Sequence, residues 1–126
     1  RAVKGAKRFF EGVWMHKYQG KYYLSYSGKS KLAARAKILY AMSDSPYGPF
    51  EYKGVLLDKV NSGTNHASIT EYKGQWYLFY HTADLYFQKH PKALKMGKQK
   101  WYRRSVCVAP LFYNADGSIQ KVKVGK

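Results

Sequence analysis

Glu11 stands in Phe9-Phe10-Glu11-Gly12-Val13-Trp14, a lone carboxylate among aromatic and aliphatic neighbours with a glycine beside it. Burial among such side chains disfavours the charged form and raises a carboxyl pKa, which a general acid needs to hold its proton near neutrality. Glu11 is therefore the candidate catalytic acid, and a buried structural glutamate is the competing reading. The other acids have different settings. Asp44 and Asp116 lie in turn sequences where a carboxylate bonds local backbone. Glu71 precedes a hairpin, Glu51 lies in a short outer strand, and Asp58 and Asp84 fall in loops.

His66 is the second candidate, within Thr64-Asn65-His66-Ala67-Ser68. This stretch occupies the same place in a repeat as the first, with Asn65 aligned to Glu11 and His66 to Gly12. A histidine there can bind a metal or water, hydrogen-bond a substrate, or simply be a satisfied interior side chain. His81 and Arg104 begin or end later strands and can reach the rim of the same cavity, although surface roles compete. His16 and His90 are peripheral. Cys107 alternates with Val106 and Val108 as a structural cysteine does, and a lone cysteine makes no internal disulfide.

Other chemistries are excluded by their missing residues. Gly28-Lys29-Ser30 resembles the tail of a phosphate-binding loop, but the upstream glycine would fall on Tyr23. No cysteine pair exists for zinc, and no Gly-x-Ser-x-Gly elbow appears.

The elements that must position these residues form a repeat. Gly20-Lys-Tyr-Tyr-Leu-Ser-Tyr26 and Gly74-Gln-Trp-Tyr-Leu-Phe-Tyr80 align without a gap, 54 positions apart. Each unit reads as a strand, a tight turn at Gln19-Gly20 or Lys73-Gly74, and a second strand. A third strand follows at Ile38–Met42 or Ser105–Ala109. Turn signals and a short fourth strand close each unit, near Phe50–Tyr52 and Ile119–Val122. A short helix is expected around Pro91–Met96. Four antiparallel strands repeated at this period indicate propeller blades, whose innermost strands line a central channel. Glu11 and His66 would then face one cavity. The fold class is all-β, one partial propeller domain over residues 1–126 with units at about 9–58 and 64–124. Two blades cannot close a ring of about four to eight, so completion requires self-association or blades outside the chain.

Length allows one domain with a core. Aromatic residues make up 17%, including 13 Tyr, which suits sheets that also offer aromatic surface to a ligand. The net charge of +16 would attract nucleic acid, an anionic membrane or an acidic polymer. The cations collect at the ends and in Lys29–Lys37 and Lys89–Arg104, which fits solvated loops better than a recognition element. Nucleic acid is therefore disfavoured, and no apolar run reaches membrane-spanning length. No signal-peptide pattern opens the chain. Its start on Arg1-Ala2-Val3-Lys4, without an initiator Met, leads one to expect a processed or truncated piece.

In Phe10-Glu11-Gly12, Trp14, Gly20–Tyr26 and Ser43-Asp-Ser-Pro-Tyr-Gly-Pro-Phe50 the chain resembles glycoside hydrolase family 43. Asn65–Ile69, Trp76–His81, Arg104–Val108 and Asn114–Gly117 extend the likeness over nearly the whole chain. The resemblance implies the C-terminal two blades of a five-bladed propeller that cleaves arabinose- and xylose-containing plant polysaccharides with inversion. It implies Glu11 as general acid and His66 as the axial histidine that helps hold calcium, directly or through water. It implies Arg104 as a sugar contact, Trp14 and tyrosines such as Tyr26 as subsite walls, and secretion or a periplasmic location. His81, from its place at the cavity rim, joins the substrate-binding candidates. Two departures stand out. Val13 replaces the usual proline after Glu-Gly, and the general base and the aspartate that tunes the acid belong to earlier blades. An inverting hydrolase needs two carboxylates about 6.5–9.5 Å apart. The rival functions are a non-catalytic carbohydrate-binding module, a basic binder of acidic polymers, and a fragment with no function of its own.

Overall fold

The computed structural model describes residues 4–28, 37–60, 62, 65–92 and 103–123. Its first sheet runs β1 (Phe9–Tyr18), β2 (Lys21–Gly28), β3 (Lys37–Ser43) and β4 (Glu51–Leu57), in that order and antiparallel throughout. The second holds β5 (Ser68–Tyr72), β6 (Gln75–Thr82) and β7 (Ser105–Leu111), also antiparallel. A short helix, α1 (Asp84–Lys89), follows β6.

The two expected hairpin turns are present. Gln19 and Gly20 have φ of 48° and 79°, and Lys73 and Gly74 have 50° and 82°. Positive φ at both central residues matches the twist of the flanking strands, and a glycine at the second position carries it without steric cost.

Period-two alternation divides β2 and β3 between two apolar layers. Tyr23, Ile38, Tyr40 and Met42 face the second sheet and pack with Ile69, Leu78, Tyr80, Ala109 and Leu111. Leu24, Tyr26, Leu39 and Ala41 point the other way and gather around Phe50. β2 is thus buried on both faces over Tyr23–Gly28, as a central strand should be.

The second unit departs from expectation at its end. Ile119 and Val122 form only isolated bridges, to Tyr113 and to Leu57. Core tyrosines of the first sheet draw this segment across: Tyr23 donates to Gly117 O at 2.6 Å, and Tyr40 Oη accepts Ile119 N–H at 2.9 Å. Val122 N–H then donates to Leu56 O at 2.8 Å. The second sheet accordingly has three strands, and the C-terminal segment staples the two sheets together.

The helix lies earlier than expected. Thr82 Oγ1 accepts the N–H of Asp84 at 3.2 Å, opening α1 there, and Phe87 seats it against Ala83. Of the segment where the helix was expected, Pro91 and Lys92 form a single 3₁₀ turn and Ala93–Met96 lie outside the described residues. Among the described residues no helix is long and apolar enough to cross a membrane.

Candidate active site

Glu11 is carried on a distorted part of β1. Between Phe9 and Glu11 the strand advances two residues while β2 advances one, and between Glu11 and Trp14 it advances three against two. Such bulges bend a strand and re-aim its side chains. Gly12, between them, has φ of 73°. The result is a carboxylate thrown toward the second sheet, where Glu11 Oε2 lies 2.7 Å from His66 Nε2.

Gly12 also makes room for that contact. A Cβ on Gly12 would lie 2.8 Å from His66 Cδ2, closer than real Cβ atoms approach. Glycine is thus needed here for its φ and for the close approach of an imidazole.

His66 is fixed from behind. Its backbone N–H donates to His81 Nε2 at 3.1 Å, and His81 Nδ1 lies 3.1 Å from Ser62 Oγ. The backbone N–H of His81 in turn donates to Asn65 Oδ1 at 3.1 Å, and Asn65 N–H donates to Ser27 Oγ at 3.3 Å. Asn65 is fully buried. Burial, then the charges of Arg104 and His66, push the His81 pKa down to about 4.

Glu11 and His66 face outward, with side chains 42% and 50% exposed. Phe9, Val13 and Trp14 are themselves exposed, so these apolar neighbours do not enclose the carboxylate within this chain. The partner that defines Glu11 is His66. Trp14 donates its indole N–H to Ile69 O at 3.2 Å, tying β1 to β5, and remains 40% exposed.

Two expected sugar contacts are placed differently. Tyr26 is 0% exposed and donates its hydroxyl to Lys7 O at 2.7 Å. It lies in the layer around Phe50, so it seats the N-terminal segment and has no face open to a sugar. His81 is half-buried and its ring nitrogens are engaged by His66 and Ser62. Arg104 is exposed and, with Leu85, Tyr86, Lys89, His90, Arg103 and Ser105, lines a cavity of about 510 Å³.

The remaining acids lie elsewhere. Asp44 pairs with Lys21, Asp58 with Lys37 and Lys121, and Glu51 with Lys53. Asp116 holds its own turn through Ser118. Glu71 is the penultimate residue of β5 and Asp84 begins α1. Nor do the donors fit calcium by themselves. Calcium takes six to eight oxygen ligands, whereas among the described residues no three His, Cys, Asp or Glu side chains converge. His66 Nε2 is occupied by Glu11.

The sequence model for glycosyl hydrolases family 43 matches residues 3–119. The chain belongs to family 43. It is 48% identical over 117 residues to a β-xylosidase from Xylanibacter ruminicola, covering 92% of this chain and 32% of that one. A xylosidase/arabinosidase from Bacteroides ovatus is 46% identical over 114 residues, with 90% and 30% covered. Among solved structures, a family 43 β-xylosidase/α-arabinofuranosidase from a compost metagenome, in complex with xylotriose and described as calcium-free, has a TM-score of 0.71 and 47% identity. That match covers 91% of this chain and 30% of that one. A family 43 enzyme from Xanthomonas citri complexed with xylose gives 0.73 and 46%, with 92% and 30% covered. The two sheets are therefore partial blades of the five-bladed propeller found in family 43 relatives. The chain spans about a third of the length of the relatives it matches.

The structure brings together Glu11 and His66, both singled out in the sequence, and adds a support that the sequence did not show. Ser62, Asn65 and Ser27 are buried polar residues that hold His66 and His81. Asn65 was legible as a flank of His66 and the repeat counterpart of Glu11, but not as a support. Nothing in the sequence marks Ser27 or Ser62, because their role is a contact between distant segments.

Proposed function

We propose that this chain is the acid-bearing part of a hydrolase that cleaves xylose- and arabinose-containing plant polysaccharides. The observation that carries this reading is the exposed Glu11–His66 pair, 2.7 Å apart on the inner strand of one blade and the segment leading into the next. Glu11 protonates the glycosidic oxygen as the bond to the anomeric carbon breaks. His66 orients the carboxyl group through this contact. Trp14 offers an indole face to a sugar ring beside the acid, and Arg104, exposed immediately before β7, binds sugar hydroxyls.

The water that attacks the anomeric carbon needs a base on the opposite face of the ring. Asp44, Asp58, Glu51 and Asp116 are tied to a turn or to surface lysines, and Glu71 and Asp84 lie in β5 and α1. In this reading that carboxylate therefore comes from parts of the propeller outside this chain or from another copy across an interface. Calcium belongs to this reading only through water and oxygen donors carried elsewhere, with His66 at the edge of its shell. A polymeric plant substrate favours secretion or a periplasmic location.

The test is xylotriose hydrolysis by the polypeptide extended to the length of its relatives, with the anomeric form of released xylose followed by proton NMR. Release of the α-anomer supports the assignment. Release of the β-anomer, or no hydrolysis, would remove it.

A further inference from the structure

The contacts around His81 determine which of its nitrogens carries hydrogen. The backbone N–H of His66 can only donate, so His81 Nε2, 3.1 Å away, is the acceptor and bears no hydrogen. In a neutral imidazole the hydrogen is then on Nδ1, which faces Ser62 Oγ at 3.1 Å. The hydroxyl accepts there. A second tie runs in the opposite sense, from the N–H of His81 to Asn65 Oδ1 at 3.1 Å. Residues 65 and 66 are thus gripped by the main chain and the ring of one residue on β6.

We propose that His81 is a positioning residue for the acid, its Nδ1–H tautomer fixing the backbone of His66 so that the His66 ring reaches Glu11. The reason is geometric. His66 approaches Glu11 over Gly12 with no space for even one methyl group, so a small shift of its backbone moves Nε2 off the carboxylate. His81 does not contact the sugar in this assignment. Asn65 is the counterpart of Glu11 in the repeat and, buried, serves this structural role. The role in catalysis rests on the assignment of Glu11 as acid, but the tautomer and the clamp do not.

Nitrogen NMR of the ring and hydrogen exchange of the His66 amide read the clamp directly in this chain. The expected result is a neutral His81 at pH 7 with hydrogen on Nδ1, and a protected His66 amide. Glutamine can place an oxygen where Nε2 lies and asparagine cannot reach it. His81→Gln should therefore keep the His66 amide protected, while His81→Asn should speed its exchange about tenfold, the worth of one hydrogen bond. If His81→Asn does not fold, Ser62→Ala serves, and the Nε2–H tautomer should grow at the expense of protection at His66. Hydrogen on Nε2 in the wild type, or unchanged His66 exchange in the folded variant, would overturn the assignment. In the polypeptide extended to its relatives' length, His81→Asn should lower kcat and leave KM within about twofold, with His81→Gln restoring kcat. A raised KM at unchanged kcat would make His81 a sugar contact instead. An inactive wild type with an intact clamp would count against the hydrolase reading alone.

Discussion

Glu11 and His66, 55 residues apart in sequence, meet at 2.7 Å because Gly12 has no side chain. The carboxylate comes from a bulge in β1 and the imidazole from the segment before β5. One glycine thereby controls both the strand's bend and the closeness of the pair.

Gly12→Ala should disturb both. The backbone φ of 73° costs an L-residue about 1–2 kcal/mol, and the new methyl would meet the His66 ring. Urea unfolding should show a loss of that order, and the His66 ring resonances should move. Unchanged stability with unchanged His66 resonances would contradict the geometry.

Much of this arrangement was legible in the sequence. The two hairpins announced themselves through Gln19-Gly20 and Lys73-Gly74, where local turn chemistry decides the structure. The apolar segments of β2 and β3 read as strands, but which of their residues face which layer was visible only in the structure. Glu11 and His66 were visible because their two stretches occupy the same place in the repeat, with Asn65 aligned to Glu11 and His66 to Gly12. Tyr26 was misread because an aromatic strand residue has two faces to choose from, and here the strand turns it toward Phe50 and Lys7. The last strand of the second unit failed for a similar reason. Its fate depends on Tyr23 and Tyr40 of the other sheet, which no local pattern reports.

His16 gives the fold an acid-sensitive point. It is stacked on Tyr23 with ring centroids 4.6 Å apart, bonded through Nε2 to Tyr113 Oη at 2.8 Å, and its Nδ1 is buried without a partner among the described residues. Burial lowers its pKa from 6.5 to about 4. The unfolded chain binds a proton below 6.5 that the folded chain refuses. This contribution to stability is therefore complete above pH 6.5 and is lost as pH falls from there to about 4. His81 shifts in the same direction. Urea midpoints should fall between pH 7 and pH 4.5, and His16→Phe should shrink that fall. An equal fall in both proteins would show that His16 is not responsible.

The outer face of β7 should make this chain associate. Val106 is 80% exposed, and Val108 and Phe112 are exposed beside it. In a propeller such a face lies against the next blade. Light scattering should give a mass above that of one chain, and Val106→Thr with Val108→Thr should lower it. A wild type that stays monomeric at high concentration would contradict this.

Chelation should not affect the fold of this chain, because its described residues hold no cluster of metal donors. Thermal unfolding with and without a calcium chelator should coincide within about 1 °C, since no ligand binding would be lost. A large drop would reveal a cation bound by this chain itself.

The most direct test of Glu11 as proton donor compares leaving groups in the polypeptide extended to its relatives' length. Xylobiose needs its leaving oxygen protonated, whereas dinitrophenyl xyloside does not. General acid catalysis contributes about 10²–10⁴-fold. Glu11→Gln should lose a factor of that size in kcat/KM on xylobiose and far less on the dinitrophenyl substrate. Equal losses on both, or none on xylobiose, would mean that Glu11 does not deliver the proton.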